Sequence, residues 1–193
     1  MLRSFIYRRA YSTLPKLEFP PSLLHLKVGK IIHCEKHPNA EKLYVSQIQI
    51  EKPVIDQDPV TIQVCSGLVN LIPLDQMLNK KVVVLANLKP SKMRGVKSEA
   101  MLLATEQITE ENIKVELINP PVSAQVGTRL HFTNFETEDI PSRLKPKAWE
   151  DIQSHLKTNS NAEATYTKDG IEYVLGDGVD VAKADTLCNT SIR

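Results

Sequence analysis

Lys89, Lys92 and Arg94 share one short stretch, Asn87-Leu88-Lys89-Pro90-Ser91-Lys92-Met93-Arg94-Gly95, hung on the apolar run 82–86. Between Gln76 and Ser98 there is no Asp or Glu, yet Lys80, Lys81, Lys89, Lys92, Arg94 and Lys97 all fall inside that window. The formal net charge of the whole chain is only +1, so this excess belongs to the segment and not to the composition. Cations gathered in this way build a positive field that suits a phosphate backbone. Pro90 stiffens the turn, so the charges need little further ordering on binding. Lys89, Lys92 and Arg94 are the candidate phosphate contacts, with Met93 between them. Asn87 either hydrogen-bonds the ligand or caps the turn through its own backbone.

A second candidate group surrounds His37-Pro38-Asn39-Ala40. Lys36, His37 and Lys42 suit ribose and phosphate contacts, and the His37 ring also suits stacking on a base; hydration of a loop end is the other reading of the two lysines. Lys30 faces either a binding groove or solvent.

These residues need a scaffold. Segments 26–34, 43–50, 60–65, 81–88 and 99–105 read as strands, the third from strict alternation of Val60, Ile62 and Val64 with polar neighbours. Gly29 suggests a bulge or bend in the first. A short helix over 73–78 opens with proline. Five short strands with a helix between the third and fourth is the plan of an OB-fold, a small barrel whose first and last connecting loops handle oligonucleotides. Those loops are 33–42 and 88–98, so topology and charge converge on the same residues. Beyond Asn119-Pro120-Pro121 a strand near 129–132, a helix over 146–156 and a hairpin over 164–175 form a small α+β module. Acids outnumber bases from Glu150 to Arg193, so this tail is not basic. The expected division is 22–118 for the barrel and 119–193 for the module.

Other chemistries lack their residues. Cys34, Cys65 and Cys188 are odd in number and far apart, which argues against disulfides and a zinc site and for buried thiols. The five histidines show no metal-ligand spacing. No nucleophile elbow, paired carboxylate motif or phosphate-cradling glycine loop is present, so neither an enzyme nor a cofactor is expected. Aromatic residues make up 5% of the chain, too few for a broad stacking platform.

Residues 1–13 carry arginines, hydroxyls and bulky apolar side chains but no acid, the composition of a mitochondrial presequence. Arg9-Ala10-Tyr11-Ser12 resembles a matrix processing site. The expectation is a presequence and linker over 1–21 and residence in the mitochondrial matrix. Loss of Arg3, Arg8 and Arg9 would leave the rest of the chain mildly acidic around its cationic loop. No apolar run approaches a membrane span.

With these residues laid out, the chain resembles the tRNA-binding domain family of endothelial monocyte-activating polypeptide, the carboxy-terminal domain of some tyrosyl-tRNA synthetases and free-standing tRNA-binding proteins. The likeness rests on Leu26-Lys27-Val28-Gly29-Lys30-Ile31-Ile32, on 37–45, on Cys65-Ser66-Gly67-Leu68-Val69, and on 87–96 with Ser98 and Met101. It continues through 144–153 and the closing Cys188-Asn189-Thr190-Ser191-Ile192-Arg193. The resemblance implies non-catalytic binding of structured tRNA, presented or chaperoned as an aminoacylation cofactor would, with an aminoacyl-tRNA synthetase as further partner. It also implies that Ser98 and Met101 hold a splayed base, Met101 being otherwise core. The appended module is implied to replace a second barrel and leave a monomer. The likeness breaks at 175–181, where relatives commonly carry basic residues, so it supports no RNA contact by the tail. The rival is a protein-interaction module that docks on a synthetase or the mitochondrial ribosome, with incidental RNA contact.

Overall fold

The computed structural model describes residues 17–193 apart from 53, 54 and 56; residues 1–16, with most of the expected presequence, lie outside the described residues. In chain order the elements are β1 (Leu26–Lys36), β2 (Tyr44–Gln49), β3 (Thr61–Ser66), α1 (Leu74–Met77), β4 (Lys81–Leu85), β5 (Ser91–Met93), β6 (Val96–Ser98), β7 (Met101–Leu102), β8 (Ala104–Ile108) and β9 (Ile113–Leu117). The second half holds β10 (Arg129–Phe132), α2 (Pro146–Gln153), β11 (Leu156–Thr158), β12 (Ala164–Lys168) and β13 (Ile171–Gly176). The protein is mainly β, and all strand pairs are antiparallel.

β1 and β4 are covered on both faces, which explains why 82–85 is an unbroken apolar run. Leu26, Val28, Val83 and Leu85 enter a core shared with Tyr166 and Leu175 of the second half. Ile31, Val82 and Val84 enter another with Ile48, Val64 and Met77. Gly29 is required for close approach: a Cβ there would lie 2.6 Å from Ile48 Cγ2 and 2.8 Å from Val84 Cγ2. The irregularity expected at Gly29 sits instead between Ile31 and His33, where the β1–β2 register shifts and turns Ile32 outward.

Three expectations change. The fifth strand is not continuous over 99–105: the run breaks into β7 and the start of β8, and β8 turns away to pair with β9, which local pattern did not reveal. The cationic stretch is not an irregular loop but the hairpin β5–β6. Cys188, expected to be buried, is exposed, whereas Cys34 and Cys65 are buried.

The sheet runs without interruption across residue 118, in the order β11-β12-β13-β10-β1-β2-β3. β10 pairs Leu130 with Leu26 and Arg129 with Lys27. A cluster of Phe132, Phe135, Tyr166 and Tyr173 fills the second half, with Phe135 and Tyr173 edge to face at 4.9 Å. Leu17, Phe19 and Leu23, at the amino-terminal edge of the described chain, pack on the same core. Among the described residues no helix is long and apolar enough to cross a membrane.

Candidate nucleic-acid interface

The β5–β6 hairpin closes with the tightest turn available. Arg94 and Gly95 both take positive φ, +50° and +96°, the signature of a two-residue type I′ turn that matches strand twist. Gly95 adopts this freely, whereas Arg94 holds a left-handed backbone that side chains other than Asn and Asp rarely take. The guanidinium thus stands at the tip, exposed, with Lys92 exposed one residue before Met93.

Both ends of the hairpin are fastened. At the tip, His37 is 5% exposed; its Nδ1 accepts the Asn39 N–H at 3.0 Å, so Nε2 carries the proton and donates to the Met93 carbonyl at 3.0 Å. At the root, Asn87 is 3% exposed. Its Oδ1 accepts the His25 N–H at 3.0 Å, and its Nδ2 donates to the carbonyls of Leu23 at 2.9 Å and Pro141 at 3.0 Å. The Asn87 carbonyl accepts the Leu144 N–H at 2.7 Å. Along its length, Gln63 Nε2 donates to the Lys97 carbonyl at 2.7 Å, and Ser98 Oγ accepts the Cys65 N–H at 3.0 Å while donating to the Ala100 carbonyl at 3.2 Å.

These bonds divide the expected site residues. Lys36, Lys42, Lys89, Lys92 and Arg94 are exposed, and none has a carboxylate within ion-pair distance among the described residues. Lys97 of the same window is different, because Glu99 neutralises it at 2.6 Å. The Lys97 hydrogen bond and the Gln63 N–H hold the Glu99 carboxyl below its ordinary range, so it stays ionised. Asn87, His37 and Ser98 have their polar atoms engaged in the fold, where they position the hairpin. The alternative for Asn87, a cap on its own turn, is also replaced by these long-range bonds. Met93 contributes its carbonyl to the clamp. Met101 is half-buried beside a cavity of about 240 Å³ that Ser66, Leu68 and Val115 also line. Ser66 Oγ there has no hydrogen-bond partner among the described residues.

Lys30 is not part of this group. It is paired with Gln49 and Lys81, and Lys81 Nζ reaches the Ala124 carbonyl at 2.8 Å, on the approach to β10. About 20 Å of strand separates Lys30 from Lys36.

A polar row went unrecognised in the sequence. His33 pairs with Gln47 and Gln47 with Gln63; Gln47 Nε2 donates to Gln63 Oε1 at 2.9 Å. It crosses β1, β2 and β3 to the hairpin. Outward glutamines at matching positions on two strands are the signal, but only register aligns them.

The sequence model of the tRNA binding domain family matches residues 26–129, just over half of the chain. The chain belongs to the tRNA-binding domain family. Within that family it is 40% identical over 190 residues to the aminoacyl tRNA synthase complex-interacting multifunctional protein 1 of Cricetulus griseus, covering 96% of this chain and 49% of that protein. It is 38% identical over 185 residues to the tRNA-aminoacylation cofactor arc1 of Schizosaccharomyces pombe, covering 92% of this chain and 40% of that one. The chain therefore spans about half the length, or less, of these curated relatives. The crystal structure of the C-terminal domain of Plasmodium vivax p43 superposes with a TM-score of 0.76 at 28% identity, over 91% of this chain and 99% of that one. The likeness to p43 reaches past the matched domain into the second half.

Proposed function

We propose that this protein is a non-catalytic binder of structured tRNA that works in the mitochondrial matrix, where it presents tRNA to an aminoacyl-tRNA synthetase or chaperones it. The observation that carries the proposal is the hairpin: Lys89, Lys92 and Arg94 stand exposed and without carboxylate partners among the described residues, on a turn fastened at tip and root. A cationic surface ordered before binding loses little entropy when it meets a polyanion. Contact is to phosphate more than to base edges, because Asn87, His37 and Ser98, the side chains suited to reading bases, are already bonded. The cavity beside Met101 is the one place in this group where a splayed base fits the proposal. A synthetase partner is supported by the names of the relatives, and the matrix location by the acid-free composition of residues 1–13.

We infer further that β1–β4 and the β6–β7 run make a five-stranded OB barrel over 22–118, with 119–193 packed on it in place of a second copy, which leaves a monomer. The Glu99 N–H donating to the Gln63 carbonyl at 2.8 Å supports closure. The β10–β1 pairing and shared core support the packing.

The test is a filter-binding titration of tRNA across a salt series. Lys89→Ala with Lys92→Ala weakens binding and lowers the salt slope by roughly 1.5, since each lost phosphate contact leaves counterions unreleased. Unchanged affinity and slope refute the proposal. The rival, a protein-docking module, has in its favour the exposed apolar pair Ile108 and Ile113, which face each other at the end of the β8–β9 hairpin. Crosslinking in matrix extracts separates the two: tRNA on the bait supports the first reading, protein alone the second.

A further inference from the structure

We infer that Arg143 and Lys145, from the segment leading into α2, form a second phosphate-binding locus at the root of the cationic hairpin, so that the tRNA track continues from one half of the molecule onto the other. The inference rests on the tRNA-binding reading above and extends it to residues outside the matched domain.

Three observations carry it. The first is placement. Leu144 N–H donates to the Asn87 carbonyl at 2.7 Å, and Asn87 Nδ2 donates to the Pro141 carbonyl at 3.0 Å. Arg143 and Lys145 flank Leu144, and Lys89 lies two residues from Asn87, so their backbones meet within roughly 15 Å. The second is direction. Leu144 is buried in the core, and Lys145 has extended backbone, with φ −74° and ψ 141°. Successive side chains of extended backbone point to opposite sides, and both neighbours of Leu144 are indeed exposed.

The third is charge. Arg129, Lys147, Lys157 and Arg193 of the second half each have a carboxylate partner, Glu138, Glu18, Glu172 and Glu106 respectively. Arg143 and Lys145 have none among the described residues. Asp139 is the nearest acid in sequence; it is exposed and forms no ion pair with either. The acidic balance of 150–193 conceals this locus, because those acids lie farther along the chain than Pro141 and Leu144, which bond to Asn87. A band of unpaired cations therefore runs from Arg143 and Lys145 through Lys89 to Lys92 and Arg94, with Lys36 and Lys42 beyond the His37 clamp. An exposed cation on a fastened backbone beside other cations is an unfilled demand for an anion.

The experiment is a titration of unfractionated tRNA against the full chain between low and moderate salt. Arg143→Ala with Lys145→Ala lowers affinity about tenfold at 0.1 M salt and the slope by roughly 1.5, with an unchanged thermal midpoint because both side chains are exposed. Lys157→Ala with Lys183→Ala removes the same charge elsewhere in the second half and leaves the slope at the wild-type value. An unaltered slope in the Arg143/Lys145 variant, with loss in the Lys89/Lys92 variant, overturns this inference and leaves the tRNA-binding reading standing. Loss in neither variant overturns both. An equal fall in the Lys157/Lys183 variant makes the effect one of net charge and also overturns the locus.

Discussion

The Nε2–H of His37 donates to the Met93 carbonyl across 3.0 Å, joining the turn between β1 and β2 to the tip of the cationic hairpin. A ring expected to meet RNA instead fastens the hairpin that carries Lys92 and Arg94. His37→Ala removes this clamp and the Nδ1 acceptor of Asn39, but no cation. The predicted result is several-fold weaker tRNA binding with an unchanged salt slope, and faster amide exchange over residues 93–97. A reduced slope would show that His37 itself neutralises phosphate.

Arg94 serves the turn poorly, since it holds a positive φ of 50°, and on the proposed function its charge serves the ligand. Arg94→Asn creates Asn-Gly, the most favourable pair for a type I′ turn, and deletes the charge. The variant is expected to keep or raise the thermal midpoint while the salt slope falls by about one. Equal loss of stability and binding would assign the arginine to folding.

Asn87→Ala leaves the Leu23 and Pro141 carbonyls and the His25 N–H without their partner in a partly buried place. The expected cost is about 3 kcal/mol, read as a fall in the urea midpoint. Asn87→Asp fares no better, since a carboxylate donates nothing to the two carbonyls. A midpoint within error of the wild type would return Asn87 to the list of RNA contacts.

Glu116 gives the fold an acid limb. Burial pushes its carboxyl up, but the Lys114 ammonium, the Thr186 hydroxyl and the Thr186 and Leu187 N–H groups together outweigh burial and hold it at about 2, below its ordinary value of 4.5. Because the folded value is depressed, the stabilisation is complete above about pH 4.5 and is lost as pH falls towards 2. It amounts to about 3 kcal/mol. Glu116→Gln should lower stability at pH 7 and flatten the decline between pH 4.5 and 2; an unaltered acid limb would place its origin elsewhere.

Tyr166 is fully buried, and its hydroxyl has no hydrogen-bond partner among the described residues. Burial, with the charges of Asp151 and Asp169, pushes it up to about 12. Tyr166→Phe keeps the ring contacts with Phe132, Phe135 and Tyr173 and removes an unsatisfied polar group, so stability is unchanged or rises by about 1 kcal/mol. A clear loss would reveal a bridging water at that hydroxyl.

Much was legible in the chain itself. Alternation and apolar runs located β1 to β4, β10 and the β12–β13 hairpin, because burial on one or two faces writes directly into side-chain type. The acid-free window identified the hairpin as the cationic element, and Lys89, Lys92 and Arg94 stand exposed there. What lay beyond reach were relationships between distant residues. Nothing local distinguishes a histidine that clamps Met93 from one that stacks on a base, or an Asn87 that binds Leu23 and Pro141 from one that binds RNA. Both depend on hydrogen bonds between groups at least 54 residues apart. Charge followed the same division: composition counted the acids after Glu150, whereas tertiary packing decided which cations meet a carboxylate and which, like Arg143 and Lys145, are left facing solvent beside the hairpin. Residue type limits what a side chain is able to do, but hydrogen bonding and ion pairing act over a few ångströms, and only the folded chain sets those distances.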